Sequence, residues 1–286
     1  MISKIKAGSV DRETFFINKL IDSKITYKIG DDAVVIDKYV YAMDLFCEGV
    51  HFTKEHFSYY KIAKKAMLVN ISDILAMGAK PIYALLGISF SEDMRLNDIK
   101  EFQRGIKEVC KEYKIKIIGG DTIKDNKLNI AITIIGETTT KTLFRNNLKA
   151  KEILFYTGNL GSVLKDMRYL YRGGSIPKSS KFLTPKLNAN FVYEIARFTK
   201  CAMDISDGLY CELNRLSKLN NVKFSFFRKI NNKKALSGEE YELLLSISKK
   251  DIRRLMLTAK KHRVSITKLA ITKRGRVRFH YYPHHN

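Results

Sequence analysis

The residues most able to do chemistry are aspartates that stand where a strand or helix pattern meets glycine, or on an otherwise apolar face. Asp31 and Asp32 follow Gly30, Asp44 follows the run VYAM, and Asp73 lies three residues after Asn70 on a helix side shared with Ile74 and Met77. Asp121 follows Gly119-Gly120, and Asp204 and Asp207 bracket Ile205-Ser206 ahead of Gly208. Singly, each has an ordinary explanation. Gly-Asp-Asp makes turns, an aspartate supports a helix start, and an acid on an apolar face pairs with lysine or arginine. Converging, they would repel by roughly 4 kcal/mol per pair at 4 Å and an effective dielectric of 20. A cluster of that kind needs cations. Carboxylate oxygens without a histidine or cysteine cluster suit Mg²⁺ or Mn²⁺, and Mg²⁺ commonly serves phosphates.

Phosphate chemistry narrows the options. The P-loop pattern G-x-x-x-x-G-K-[ST] and the protein-kinase motif set are both absent. Phosphoryl transfer would then rest on metal neutralisation, with glycine-rich backbone and helix N-termini supplying N–H donors. IIGGDTIK, residues 117–124, fits that role as a strand ending in a GGDT turn. There glycine admits a phosphate and Asp121 binds the ion.

The elements that must place these side chains are legible in outline. VVIDKYVYAMDLF (34–46) reads as two β-runs around a turn at Asp37-Lys38. Residues 59–77 read as a helix stopped by Gly78. Residues 98–113 form a helix with the stripe Ile99, Phe102, Ile106, Val109, Cys110 and Tyr113. Ile115–Ile118 and Leu128–Ile135 are strands. After the polar stretch Arg145–Glu152 the pattern restarts: ILFYT as a strand, a helix over 187–199, CAMDI as a strand, a helix from Leu209 to Leu219 capped by Ser206, and the apolar run in GEEYELLLSI. Two α/β domains are expected, 1–140 and 141–286.

The chain has 286 residues, 45% of them hydrophobic, which suffices for a sizeable core. No apolar run reaches membrane-spanning length, and the N-terminus has no signal-peptide stretch, so a cytoplasmic protein without membrane partner is expected. The cysteines Cys47, Cys110, Cys201 and Cys211 form no close pair, which disfavours a zinc or redox motif. The net charge of +23 is spread along the chain and reads as solvated faces rather than a nucleic-acid site, though it would attract anionic ligands.

The ordered set GDDAVVI, DLFCEGVHF, KAMLVNISDILAMGAKP, IIGGDT, AMDISDGL and GEEYELL resembles the thiamine-monophosphate kinases, of the aminoimidazole ribonucleotide synthetase and selenophosphate synthetase superfamily. The resemblance runs from about Gly30 to Leu245. It implies an α/β, PurM-like two-domain architecture, with an N-terminal ATP- and Mg²⁺-binding domain that pairs in a homodimer and a C-terminal α/β domain that completes the active site. The implied reaction is in-line transfer from ATP, as co-substrate, to thiamine monophosphate with several Mg²⁺ ions. Carried over by residue, Asp32, Asp44, Asp73, Asp121, Asp204 and Asp207 match the magnesium ligands, with Asp44, Asp73, Asp121 and Asp207 at the reaction centre. Gly120, Asp121, Arg145 and Ser206 match nucleotide-binding positions. His51 and Glu239 match substrate contacts, and Tyr282 is the candidate for the aromatic that stacks on the acceptor. His51 has the alternative of a core histidine, and Tyr282 that of a surface tail.

The chain also departs from the pattern. Ala42-Met43 replaces two hydroxyl residues before Asp44, SGEEYEL replaces GGEDYEL, and the YTGNLG turn lacks Asp-Ser. These changes bear on the acceptor and the number of ions more than on the fold. The alternatives are another ATP-dependent small-molecule phosphoryl-transfer enzyme of the superfamily, or a basic nucleic-acid-binding protein on a degenerate kinase fold. Selenophosphate synthesis is disfavoured because the first cysteine, Cys47, lies far from the N-terminus.

Overall fold

The computed structural model describes residues 12–281. The chain divides into two compact units, Met1–Gly30 and Asp31–Asn286. The first carries helix α1 (Arg12–Asp22). All remaining elements lie in the second. Among the described residues no helix is long and apolar enough to cross a membrane.

The first sheet contains β1 (Val34–Ile36), β2 (Tyr39–Cys47), β3 (Ala79–Ser91), β4 (Lys116–Asp125) and β5 (Asn129–Thr138), in the order β1-β2-β5-β3-β4. Its pairs are antiparallel except β3–β4, which are parallel and joined through a helix. Helices α2 (Tyr59–Ala76) and α3 (Leu96–Tyr113) cover one face. Ile130, Ile132 and Ile134 of β5 point at them while the intervening residues do not, the period-2 pattern of a sheet with one buried face. Gly105 allows the two helices to touch, since a Cβ there would sit 2.5 Å from the Tyr60 carbonyl oxygen.

The second sheet contains β6 (Ile153–Thr157), β7 (Ala202–Ile205), β8 (Val222–Phe226), β9 (Glu242–Ile247) and β10 (Ile266–Arg274), in the antiparallel order β7-β9-β6-β10-β8. Around it lie α4 (Ser162–Leu170), α5 (Ala189–Ile195), α6 (Leu209–Asn220), the single turn α7 (Asn232–Ala235) and α8 (Ile252–Lys261). A core of Leu154, Met203, Leu209, Leu213 and Leu216 fills the space between β-strands and α6.

Helix α2 is the central element. It packs on β2, β3 and β5 of the first sheet and also on β7 and α5 beside the second. Apolar residues all round it are therefore buried, Ile62, Met67, Ile71 and Ile74 completely, each contributing about 1.5–3 kcal/mol by transfer from water. Polar side chains on such a helix need partners, and Lys65, Asn70 and Ser72 find them at the site described below.

Two local expectations are corrected. GGDT is not a turn: β4 runs through it, because β3 offers a parallel partner along its whole length, with an irregularity between Ala84 and Leu85 that absorbs Ile118. Ser206 does not cap the following helix. Gly208 holds the N-cap position of α6, and the serine's carbonyl instead accepts the Glu239 N–H at 2.6 Å.

Candidate functional site

Three carboxylates from distant parts of the chain meet. Asp32 comes from the loop before β1, Asp73 from α2 and Asp204 from β7, and one oxygen of each lies within 4.8 Å of the others. Two of the three are held by a neighbour. Asp32, its side chain fully buried, is ion-paired through Oδ1 with Arg145, whose own N–H donates to Asp31 Oδ1 at 2.7 Å. Asp204 Oδ2 accepts a hydrogen bond from Ser72 Oγ at 2.7 Å. Asp44, on β2, faces the same side: its N–H donates to Asn70 Oδ1 at 2.9 Å, while Asn70 Nδ2 donates back to the Ala66 carbonyl.

This geometry is electrostatically costly. Burial, then the charges of Asp44, Asp204 and Asp32, push the Asp73 carboxyl well above the usual range. Burial and then Asp32 do the same to Asp204. Asp32 is also raised by burial, against the opposing guanidinium of Arg145. Two buried oxygens, Asp32 Oδ2 and Asp204 Oδ1, have no hydrogen-bond partner. Buried polar atoms are rarely left so, each costing about 1–3 kcal/mol. Clustered hard oxygens with unused lone pairs fit a divalent cation such as Mg²⁺.

The other candidates from the sequence are placed apart. Strand register explains Asp121. Across the first sheet, Asp44 aligns with Ile132, Leu86 and Gly120, the row facing α2. Leu45 aligns with Ala131, Gly87 and Asp121, the opposite row. Asp121 is accordingly exposed, with Oδ1 accepting only the adjacent Thr122 N–H. Gly120 has its own structural necessity: a Cβ there would stand 1.9 Å from the Leu86 carbonyl oxygen. Asp207 lies in a separate group with Cys211 and Glu212, and Arg215 bridges its carboxylate at 2.5 Å and that of Glu212 at 2.8 Å. Burial pushes Glu212 up to about 7. Arg145, expected to reach toward phosphate, is committed to Asp32, and its buried Nε lacks a partner.

His51 accepts the Cys47 N–H at 3.0 Å through Nδ1 and stacks on Phe46 with 5.4 Å between ring centroids. It lines a cavity of about 140 Å³ together with Phe52, Thr53, Phe57, Met167 and Phe182. Glu239 is buried and paired with the wholly buried Lys65 at 2.7 Å. Tyr282 lies outside the described residues. The sequence reading missed Lys65, Ser72, Asn70 and Tyr241. The signal was present for Lys65: a lysine set directly between Ile62-Ala63 and Ala66-Met67, on the stripe that reads as buried. Tyr241, in a left-handed backbone conformation at φ +49°, has its hydroxyl pushed well up by burial and then by Glu239, Asp44, Asp204 and Asp73.

Comparison with known proteins adds the following. Residues 30–138 match the family described as AIR synthase related protein, N-terminal domain. The thiamine-monophosphate kinase of Buchnera aphidicola subsp. Schizaphis graminum is 30% identical over 283 residues, covering 88% of this chain and 87% of that protein. The thiamine-monophosphate kinase of Aquifex aeolicus is 29% identical over 233 residues, covering 78% of this chain and 74% of that protein. The structure of AaThiL complexed with AMPPCP and TMP superposes with a TM-score of 0.80 at 24% identity, covering 96% of each chain, a likeness of fold.

Proposed function

The chain belongs to the thiamine-monophosphate kinase family, and on that footing we propose how its own residues serve the family's reaction. The protein is an ATP-dependent kinase that phosphorylates thiamine monophosphate to thiamine diphosphate. A phosphate oxygen of the acceptor attacks the γ-phosphorus of ATP, the bond from that phosphorus to the β-bridging oxygen breaks, and ADP leaves. Such a transfer needs no protein nucleophile. Positioning and charge stabilisation carry it.

The observation that carries the residue assignment is the meeting of Asp32, Asp73 and Asp204 with two unpartnered oxygens. In this reading these residues, with Asp44 adjoining, hold Mg²⁺, which when bound neutralises phosphate charge. Ser72 and Arg145 fix the orientation of Asp204 and Asp32. The cavity beside His51 receives the acceptor's rings, with Glu239 behind it.

A homodimer belongs to the same reading. Every residue of β4 is exposed, and Met43, Leu45, Leu85, Ile117 and Ile123 leave the first sheet an open apolar surface beside an unpaired edge strand. Such a surface is normally covered. The two halves around the two sheets are read as the nucleotide-binding and completing domains, and a cytoplasmic enzyme belongs to the same reading. ADP release, measured with thiamine monophosphate and with other phosphorylated acceptors, with and without Mg²⁺, tests the proposal. Turnover independent of divalent cation would sink the metal assignment, and turnover confined to another acceptor would sink the substrate.

A further inference from the structure

Lys65 stands out because nothing in the reaction chemistry described above uses it. Its side chain is completely buried on α2. Its Nζ lies 2.7 Å from Glu239 Oε2 and 4.2, 5.2 and 5.8 Å from the ring centroids of Phe182, Phe57 and Phe46. Burying an ammonium costs several kcal/mol, which one carboxylate and the faces of aromatic rings offset only with good geometry. A methionine would fill the same space without that cost.

The location suggests what the charge is for. Phe57 and Phe182 line the His51 cavity, and Phe46 carries the stacked His51 ring. Glu239 belongs to a short segment in which it and Tyr241 both adopt left-handed backbone conformations, at φ +53° and +49°. Such residues cost about 1–3 kcal/mol each and persist only when their surroundings enforce them. Their N–H groups bond back to the Ser206 and Ile205 carbonyls at 2.6 and 2.9 Å, directly after Asp204. The same α2 that supplies Lys65 supplies Asn70, Ser72 and Asp73 to the aspartate cluster. The Lys65–Glu239 pair thus joins the wall of the aromatic cavity to the segment that borders the aspartates.

We infer that Lys65 is a positioning residue for the phosphoryl acceptor: its ammonium holds the Glu239 carboxylate and the Phe57–Phe182 wall where a molecule in the His51 cavity is presented to the aspartate cluster. This rests on the assignment of that cavity to the acceptor. The charge acts on acceptor binding and leaves the ATP side untouched.

The test compares wild type, Lys65→Met and the double variant Lys65→Met/Glu239→Gln in the full chain, by thermal unfolding and by steady-state kinetics with thiamine monophosphate and ATP varied separately. Lys65→Met is expected to lower the melting temperature and to raise the acceptor KM roughly tenfold or more, with the ATP KM within about twofold of wild type. The double variant, with no uncompensated charge, is expected to regain melting temperature while the acceptor KM stays high. If Lys65→Met does not fold, the double variant is compared with Glu239→Gln alone, and an acceptor KM no higher than that of Glu239→Gln overturns the inference. Recovery of the acceptor KM together with stability would make the pair merely structural and overturn the inference, as would an equal rise in both KM values. Wild type without turnover on thiamine monophosphate would overturn the functional reading itself, and this inference with it.

Discussion

Two groups of buried acids, the glutamates of GEEYE and the aspartates of the candidate site, are neutralised differently. The glutamates of GEEYE are closed off from within. Glu239 has Lys65, while Lys181 reaches Glu240 at 2.5 Å and Glu242 at 2.8 Å. Gly161 N–H and Ser237 Oγ donate further to Glu240, each at 2.6 Å, and Thr157 Oγ1 donates to Glu242 at 2.7 Å. The aspartates are left short. Among the described residues Arg145 is the cation in contact with the cluster of Asp32, Asp73 and Asp204, and two oxygens remain unpartnered. Each acid of the first group has a lysine of the fold against it. Acids that await a ligand carry a deficit that the ligand removes.

Removing the internal cation should hurt the first group most. Lys181→Met leaves Glu240 and Glu242 buried without counter-ion, and an unfolding loss of about 3–5 kcal/mol is expected by denaturant titration. A loss below 1 kcal/mol would erase the contrast. In the second group the opposite sign is expected. Asp73→Asn should lower kcat by about 10²–10³, as for loss of a charge-stabilising group, while the metal-free protein unfolds at a higher temperature than wild type. Inactivity accompanied by lower metal-free stability would mean that Asp73 is a structural acid.

The pH response sharpens the same point. The folded-state pKa values of Asp73 and Asp204 are raised, so the folded state binds more protons than the unfolded one. Their contribution to stability is therefore present at acidic pH and is lost as pH rises from the ordinary carboxylate range through the raised values. Metal-free melting temperature should fall along that rise, and Mg²⁺ should flatten the slope. A melting temperature that rises over the same interval would contradict the assignment. The smallest effect belongs to Asp207, whose partner Arg215 is partly exposed. Asp207→Asn should change metal-free stability by less than about 1 kcal/mol, and a larger loss would place it with the structural acids.

Much of the fold was legible in the sequence because it rests on local periodicity. The hairpin around Asp37-Lys38 became β1 and β2, the run from Tyr59 became α2, and the stripe from Phe102 to Tyr113 became the buried face of α3. The interior strand β3 went unread because Pro81 and Gly87 interrupt its pattern. The GGDT turn was misread because two glycines look alike in a turn and in a strand that must pass close to its neighbour. At the site, the types and order of the aspartates were readable, but their destinations were not.

Order and residue type alone determined the family, the α/β class and a list of acids suited to hard cations, since these follow from short motifs and nearest-neighbour preferences. Tertiary structure alone decided which acids share a space. A one-residue step along β4 separates the row of Gly120 from that of Asp121 and sends Asp121 to the face away from Asp44. Arg215 claims Asp207, and a lysine with no assigned role was carried by α2 to the border between cavity and cluster. Such outcomes depend on register and on partners far away in the chain, and no local pattern encodes either.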